Sequence, residues 1–291
     1  MAAIESALTE HQAGRAGSAG RYIDGSTDAA LALMPGHYLG TVGLKAITLV
    51  ESNLARGLPT LQGLVVLFDR KDGRLLAAVD AESLTAVRTA AIAGFATEAL
   101  APEDASSMLL VGAGAQGLGQ VEAVVAVRPI RRLMIWNRTS PRAHALADQV
   151  RAAHRGLRVE VARDLAAAAR DADVITLATG AALPLLDLAD VKARCHLNAI
   201  GSYRPDRREL GSDLVAAASV YADTVEGCLE EAGDLLIPIA EGRLSRDQVR
   251  PLATARFRPD QPLTLMKSVG SAVFDLACAH RLLARIGQDG T

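Results

Sequence analysis

The sequence predicts an α/β protein in which a doubly wound parallel sheet is combined with a separate α+β unit. Three observations lead there. From residue 106 onward, short and continuously apolar segments alternate with helical ones, the pattern of a parallel sheet covered on both faces. A glycine-rich turn, Gly112-Ala113-Gly114-Ala115-Gln116-Gly117, stands between the first of those strands and the first helix. The preceding hundred or so residues instead carry hairpin-type strands and one Ala-rich helix. At 291 residues and roughly 150 per domain, two domains are expected, enough to bury about three quarters of the unfolded chain's surface. The boundaries expected are 1–104, completed by a C-terminal helix over 265–291, and 105–264 between them.

In chain order, residues 2–12 read as a short helix and 14–20 as a Gly/Ala/Ser loop. Residues 41–50 and 63–69 are β-branched or apolar runs, and Arg70-Lys71-Asp72-Gly73-Arg74 is a hairpin connection into a strand over 75–79. A helix follows over 84–100, with Ser83 and Thr85 as candidate caps and Ala101-Pro102 ending it. Strands are then expected at 107–111, 133–136, 159–161, 172–177, 195–200 and 219–222, with helices at 116–126, 142–154 and 164–170. Residues 265–285 read as one long helix returning to the first domain.

Composition narrows the classes of function. Lys plus Arg number 31 against 33 Asp plus Glu, a formal charge of -2, and aromatic residues are only 3%, so there is no electrostatic case for nucleic acid or an anionic membrane surface, a base-stacking platform is not supported, and no nucleic-acid partner is expected. Cys195, Cys228 and Cys278 are far apart and form no C-x-x-C pair; no metal site is expected, and a reducing compartment suits them. No apolar run approaches the roughly 18 residues of a membrane span, and residues 1–15 carry Glu5, Glu10 and His11 without an apolar leader core. A soluble, cytoplasmic protein with no membrane partner is expected.

The glycine turn carries the first chemistry. Met108-Leu109-Leu110-Val111 places G-x-G-x-x-G directly after an apolar strand and at the start of a helix. There Gly112 permits the tight turn, Gly114 admits a pyrophosphate close to the backbone, and Gly117 lets the helix pack on the strand. Ala115 and Gln116 lie at the helix N-terminus, whose amides and dipole favour an anion. The next strand ends in Asn137-Arg138-Thr139, near the position, about 20 residues on, that meets the adenosine ribose. An acidic residue there would suit NAD(H); a neutral residue, a guanidinium and a hydroxyl suit a 2′-phosphate. NADP(H) is therefore favoured and NAD(H) remains possible, unless Arg138 is only a solvated loop arginine. Thr179 and Gly180 end a later strand at the carboxyl edge of the sheet and are placed along the cofactor or in a plain turn.

Two charges stand where the fold should not want them. Lys45 lies in Thr41-Val42-Gly43-Leu44-Lys45-Ala46-Ile47-Thr48-Leu49-Val50, apolar on both alternating faces, so either an internal carboxylate or a bound anion must answer it. Arg88 falls in what reads as the first turn of the Ala-rich helix, where a cation opposes the dipole. An anion between them would make it favourable, since a guanidinium offers a bidentate fork; the alternative is an arginine turned to solvent.

At this point the residues resemble the ornithine cyclodeaminase/mu-crystallin family. The matching stretches are Leu44-Lys45, Asn53 with Gly57-Leu58-Pro59-Thr60, Leu84-Thr85-Ala86-Val87-Arg88-Thr89-Ala90-Ala91, residues 112–116, Asn137-Arg138-Thr139, Asn198-Ala199-Ile200-Gly201, Arg208-Glu209-Leu210 and Lys267-Ser268-Val269-Gly270. They run in family order along nearly the whole chain. The resemblance implies a Rossmann domain set within a substrate-binding and dimerisation domain, and hence a homodimer. It places the substrate-carboxylate lysine and arginine on Lys45 and Arg88, a further substrate arginine on Arg21, and further cofactor contacts on Ser202 and Ser268. Relative to the family the N-terminus is short and lacks a first strand of the dimerisation sheet.

The cyclodeaminases carry an aspartate where this chain has Tyr203, in Gly201-Ser202-Tyr203-Arg204-Pro205. A phenol with an ordinary pKa of about 10 is a poor base at neutral pH, and Gly-Ser-aromatic-x-Pro is more similar to the ketimine reductases. The resemblance therefore implies an NAD(P)H-dependent reductase of small cyclic imino acids, with Arg88 and Lys45 holding the carboxylate. Ornithine cyclodeamination, amino-acid dehydrogenation, and a crystallin-like protein that binds NADPH without turnover are the other readings it leaves open.

Overall fold

The computed structural model describes residues 1–25 and 29–289. Its elements in chain order begin with α1 (Ala2–Gln12), β1 (Ala16–Ser18), β2 (Tyr22–Gly25), β3 (Ala30–Tyr38), β4 (Thr41–Leu49), β5 (Leu61–Asp69), β6 (Leu75–Asp80) and α2 (Ala81–Leu100). They continue with β7 (Ser107–Val111), α3 (Gly117–Val125), β8 (Arg132–Trp136), α4 (Ser140–Ala153), β9 (Arg158–Val161), α5 (Leu165–Asp171), β10 (Val174–Leu177), β11 (Cys195–Ala199), α6 (Ser212–Ala217) and β12 (Ser219–Ala222). Last come α7 (Val225–Glu231), α8 (Gly233–Ala240), β13 (Arg250–Pro251), β14 (Leu263–Lys267) and α9 (Ala272–Asp289). The chain divides into two compact units, one of residues 1–88 with those from 270 onward, the other of residues 89–269.

The first unit is an antiparallel sheet ordered β1-β3-β4-β5-β6, with β2 also paired to β3. Alternation along the strands gives it two faces. Ala32, Met34, Lys45, Ile47 and Val65 share the inner face, where α9 packs and buries Phe274 and Leu276. The other face is also apolar: Leu33, Ala46 and Leu64 lie in register across β3, β4 and β5, as do Pro35, Leu44 and Val66.

The second unit is a sheet of eight strands, every neighbouring pair parallel, in the order β13-β12-β14-β11-β10-β7-β8-β9. The strand order reverses at β7, which has β8 on one side and β10 on the other, so the loops leaving β7 and β10 form the topological switch point where open α/β sheets bind ligands.

Four expectations are corrected. Residues 14–20 are not all loop: β1 pairs with Gly36, His37 and Tyr38, and its small side chains gave no strand signal. Residues 265–285 are not one helix, because β14 inserts between β11 and β12 before the chain turns at Gly270 into α9; a short apolar run reads equally as strand or buried helix. Helix α2 begins at Ala81, capped by Asp80, whose Oδ2 accepts from the Ser83 amide at 2.7 Å, so neither Ser83 nor Thr85 is its cap. The unit boundaries fall at 88/89 and 269/270 rather than 104/105 and 264/265. The second half of α2 belongs to the second unit: Asn198 Nδ2 donates to Thr97 Oγ1, and Arg128 donates to the carbonyls of Glu98, Ala101 and Pro102. Among the described residues no helix is long and apolar enough to cross a membrane, and all three cysteines are free thiols.

Candidate active site: a cationic clamp and a dinucleotide cradle

In the first unit β4 carries Lys45 to the face covered by α9, where it is 1% exposed. Its ammonium donates to Thr85 Oγ1 at 2.5 Å and to Asp275 Oδ1 at 3.2 Å. Arg88, 6% exposed, turns its Nε to that same oxygen at 3.1 Å. Burial first and the Arg88 charge second pull the Lys45 pKa down to about 8, Asp275 opposing them; Arg21, half-buried ahead of β2, adds to the lowering. The guanidinium of Arg88 occupies the place a side chain would take at Gly270, where a Cβ would stand 2.8 Å from Nη2 and where φ is +79. Only glycine meets both conditions there.

The carboxylate that answers Lys45 is thus internal, and it answers Arg88 as well. Two buried cations share one carboxylate, so the pair keeps one net positive charge. The helix-end argument for Arg88 does not survive, because α2 starts seven residues earlier at Ala81 and Arg88 lies past its first turn. Asp275 itself was not singled out from the sequence: one acid in an apolar helix reads as a solvated residue, and its partners lie 230 and 187 positions away.

In the second unit Gly112 takes φ +108, and a Cβ there would stand 2.5 Å from the Ala178 carbonyl oxygen, so the loops leaving β7 and β10 touch at the switch point. No atom lies within 4 Å of a Cβ built on Gly114, which leaves the open approach a pyrophosphate requires. Beside it Gln116 Oε1, a buried acceptor, has no hydrogen-bond partner among the described residues, as suits a ligand that brings a donor such as a ribose hydroxyl. Of the first amides of α3, that of Gly117 is taken by the Gly114 carbonyl at 2.9 Å, and at a helix start those that follow it have no carbonyl one turn back to bond. These features fit a dinucleotide. Gly117 serves helix packing more than strand packing: its Cβ would meet Leu146 of α4 at 2.7 Å but Leu110 of β7 only at 3.5 Å.

Asn137 shapes this loop, accepting from the Ala113 amide at 3.0 Å and donating to the Thr139 carbonyl at 2.9 Å. Arg138 and Thr139 are exposed. A cavity of ≈ 640 Å³ opens there, with Trp136, Arg138, His144, Arg151 and Arg163 in its lining. Thr179 donates its amide and hydroxyl to Glu209 Oε1, at 2.8 and 2.7 Å, and Gly180 follows it in the loop. The Ser202 hydroxyl donates to the Arg207 carbonyl at 2.8 Å and that of Ser268 to Asp223 Oδ2 at 2.6 Å, while Tyr203 is exposed.

A buried network missed by sequence reasoning ties these loops together. Glu209 Oε2 accepts from the amides of Gly201 and Ser202 as Oε1 does from Thr179. Asp234 Oδ1 accepts the amides of Glu209 and Leu210, and Lys267 Nζ donates to Asp234 Oδ2 at 2.8 Å. Burial and the neighbouring Asp234 push Glu209 upward, but four donors converge on its two oxygens, the arrangement of an ionised acceptor. Lys267, wholly buried, is held above the usual lysine value: burial works against it, and the charges of Asp234 and Glu209 outweigh burial.

A doubly wound sheet with a glycine cradle at its switch point, together with a unit that buries a cationic pair, is the build of a dinucleotide-dependent enzyme. The chain belongs to the ornithine cyclodeaminase/mu-crystallin family, whose model matches residues 1–289. It is 35% identical over 260 residues to a Δ1-pyrroline-2-carboxylate reductase of Bacillus cereus, covering 87% of this chain and 79% of that one. Among solved structures it is similar to the Thermococcus litoralis Δ1-pyrroline-2-carboxylate reductase in complex with NADH and L-proline, with a TM-score of 0.94, 28% identity, and coverage of 100% of this chain and 93% of that one. The iminosuccinate reductase of Paracoccus denitrificans in complex with NAD+ gives 0.91 at 30% identity, with coverage of 99% and 91%.

Proposed function

We propose that the protein is an NAD(P)H-dependent reductase of small cyclic imino acids of the Δ1-pyrroline-2-carboxylate or Δ1-piperideine-2-carboxylate type. The observation that carries this reading is the buried pair of Lys45 and Arg88 with one shared carboxylate, a site with one positive charge left for an anionic substrate. Lys45 and Arg88 hold the ring carboxylate, with Arg21 adding positive charge, and so fix the C=N carbon in one place. Ordering of that kind makes the transfer effectively unimolecular. Gly112, Gly114, Ala115, Gln116 and Gly117 hold the dinucleotide's pyrophosphate, and the loops of Thr179, Gly180 and Ser202, pinned by Glu209, border the rest of it. The bound nicotinamide supplies the hydride.

NADP(H) is the favoured cofactor. Its support is the cavity beyond β8, where Arg138 and Arg163 are exposed while Arg151 is already committed to Asp148 and the Val159 carbonyl. Two guanidiniums with no ion-pair partner among the described residues suit a phosphate. Arg138→Ala is expected to raise the KM for NADPH about tenfold, the worth of one charge-assisted contact of roughly 1.4 kcal/mol, and to leave that for NADH nearly unchanged. Equal effects on both cofactors would remove Arg138 from this role.

Homodimerisation is supported by the apolar outer face of the antiparallel sheet, where Leu31 and Leu64 are 41% and 49% exposed; contiguous apolar surface of this kind marks an interface. Light scattering coupled to size exclusion should give twice the 30.4 kDa chain mass. A cytoplasmic location is supported only by the free thiols.

The test of the whole reading is oxidation of NADPH and NADH with Δ1-pyrroline-2-carboxylate, beside ammonia release from L-ornithine. Imine-dependent oxidation without ornithine turnover is expected. Ammonia release without added reductant would make this a cyclodeaminase working with Tyr203 in place of an aspartate, and tight NADPH binding with no turnover of any cyclic imine would make it a binding protein.

A further inference from the structure

Glu209 and Asp275 are both buried carboxylates that serve two groups at once, and they differ in one respect. Glu209 is saturated, with donors on both oxygens. Asp275 is one-sided: Oδ1 takes both Lys45 and Arg88, while Oδ2, equally buried, meets no hydrogen-bond partner among the described residues. A carboxylate kept only to fasten α9 to β4 would be expected to fill both oxygens, since a buried acceptor left unpaired is costly. Asp275 spends its one satisfied oxygen on the two cations of the clamp.

We propose that Asp275 is a positioning residue of the clamp, the shared counter-ion that keeps Lys45 charged and Arg88 turned by its Nε, so that both cations stay in place for a substrate carboxylate. The inference rests on the reading of Lys45 and Arg88 as the carboxylate site. The groups that face Lys45 are Thr85 and Arg88 from α2, Asp275 from α9, and Arg21 ahead of β2; Cys278, one turn along α9, feels both Asp275 and Arg88 and is pushed up to about 11, burial being the larger cause. Asp275 is the only carboxylate among them. Without it two arginines and burial all favour loss of the Lys45 proton, and of the groups named only the neutral Thr85 hydroxyl opposes them.

The test is binding of pyrrole-2-carboxylate, a planar ring monocarboxylate, to the full chain saturated with NADP+. Calorimetry from about pH 6 to about pH 9.5 would follow it in the native protein, Asp275→Asn and Asp275→Glu. Native affinity is expected to fall as Lys45 loses its proton near pH 8. In Asp275→Asn the fall should begin at least about one pH unit lower, leaving affinity at pH 8 about tenfold weaker, while Asp275→Glu keeps the native limb. An Asn profile that superimposes on the native one overturns the proposal, as does failure of the native protein to bind at any pH. Should the Asn variant not fold, Lys45→Arg decides: its guanidinium does not titrate, so the alkaline limb should vanish, and a limb that persists overturns the proposal. Turnover of Δ1-pyrroline-2-carboxylate is read on the same samples. A limb that shifts as expected with no NADPH-dependent turnover sinks the reductase reading alone.

Discussion

Arg88→Ala is expected to cut kcat/KM for Δ1-pyrroline-2-carboxylate by roughly 30- to 1,000-fold, the equivalent of about 2–4 kcal/mol of lost transition-state binding. The loss should fall on KM and kcat together, because the guanidinium both recruits the carboxylate and fixes the carbon that receives the hydride. Cofactor binding should be untouched, as the glycine cradle lies in the other unit. Arg88→Lys should rescue little, since an ammonium cannot reproduce the Nε contact to Asp275 while presenting a planar fork. The pH dependence carries a sign. The Arg88 charge helps pull Lys45 down to about 8, so residual activity in Arg88→Ala should persist to higher pH than in the native enzyme, opposite to the shift expected of Asp275→Asn. Steady-state kinetics across pH check both; unchanged kinetics would take Arg88 out of the clamp.

Lys267→Met is expected to be the most destabilising single change. It leaves Asp234 and Glu209 buried without their cation, and removing one member of a buried ion pair costs about 3–5 kcal/mol. For a unit of this size that is a fall in Tm of roughly 10–15 °C. The double variant Lys267→Met with Asp234→Leu should recover part of it, because the two residues act as one group. Glu209 is pushed upward by burial and Asp234, and its folded pKa would rise further once Lys267 is gone. A carboxylate raised in the folded state favours that state at low pH and loses the advantage as pH rises through the folded value. The deficit of Lys267→Met should therefore be smaller at about pH 5 than at about pH 8. Thermal unfolding followed by circular dichroism measures this, and a loss below about 1 kcal/mol would mean the network is not the pin between β10 and β11.

Much of this was legible in the sequence, for reasons that can be named. The second unit announced itself through apolar strands and a glycine turn whose spacing is a direct requirement of the fold. Lys45 and Arg88 were visible because each is a charge in an apolar setting, which costs free energy unless something answers it. What answers them was not visible: Asp275 comes together with Lys45 only through the packing of α9 on β4, and no local pattern encodes that. Glu209 and Asp234 were hidden for the same reason. β14 was misread because Leu265 and Met266 after Leu263 make a short apolar run that reads equally as strand or buried helix, and the start of α2 was set too late because its cap, Asp80, closes a strand as well as opening a helix.

The place of β14 in the sheet also dictates the order in which the molecule can be finished as it is synthesised. Strands β7 to β11 neighbour one another on the sheet and can pair as they emerge. β12 and β13 have no link to them until β14 arrives to lie between β12 and β11, and until then β11 presents an open edge, the surface from which misassociation starts. The segment that closes that edge runs straight on into α9, the helix that covers Lys45 and delivers Asp275. Sealing of the sheet and neutralisation of the clamp are therefore one late event, and a nascent chain halted before residue 263 holds both a sticky strand and two cations with no counter-ion.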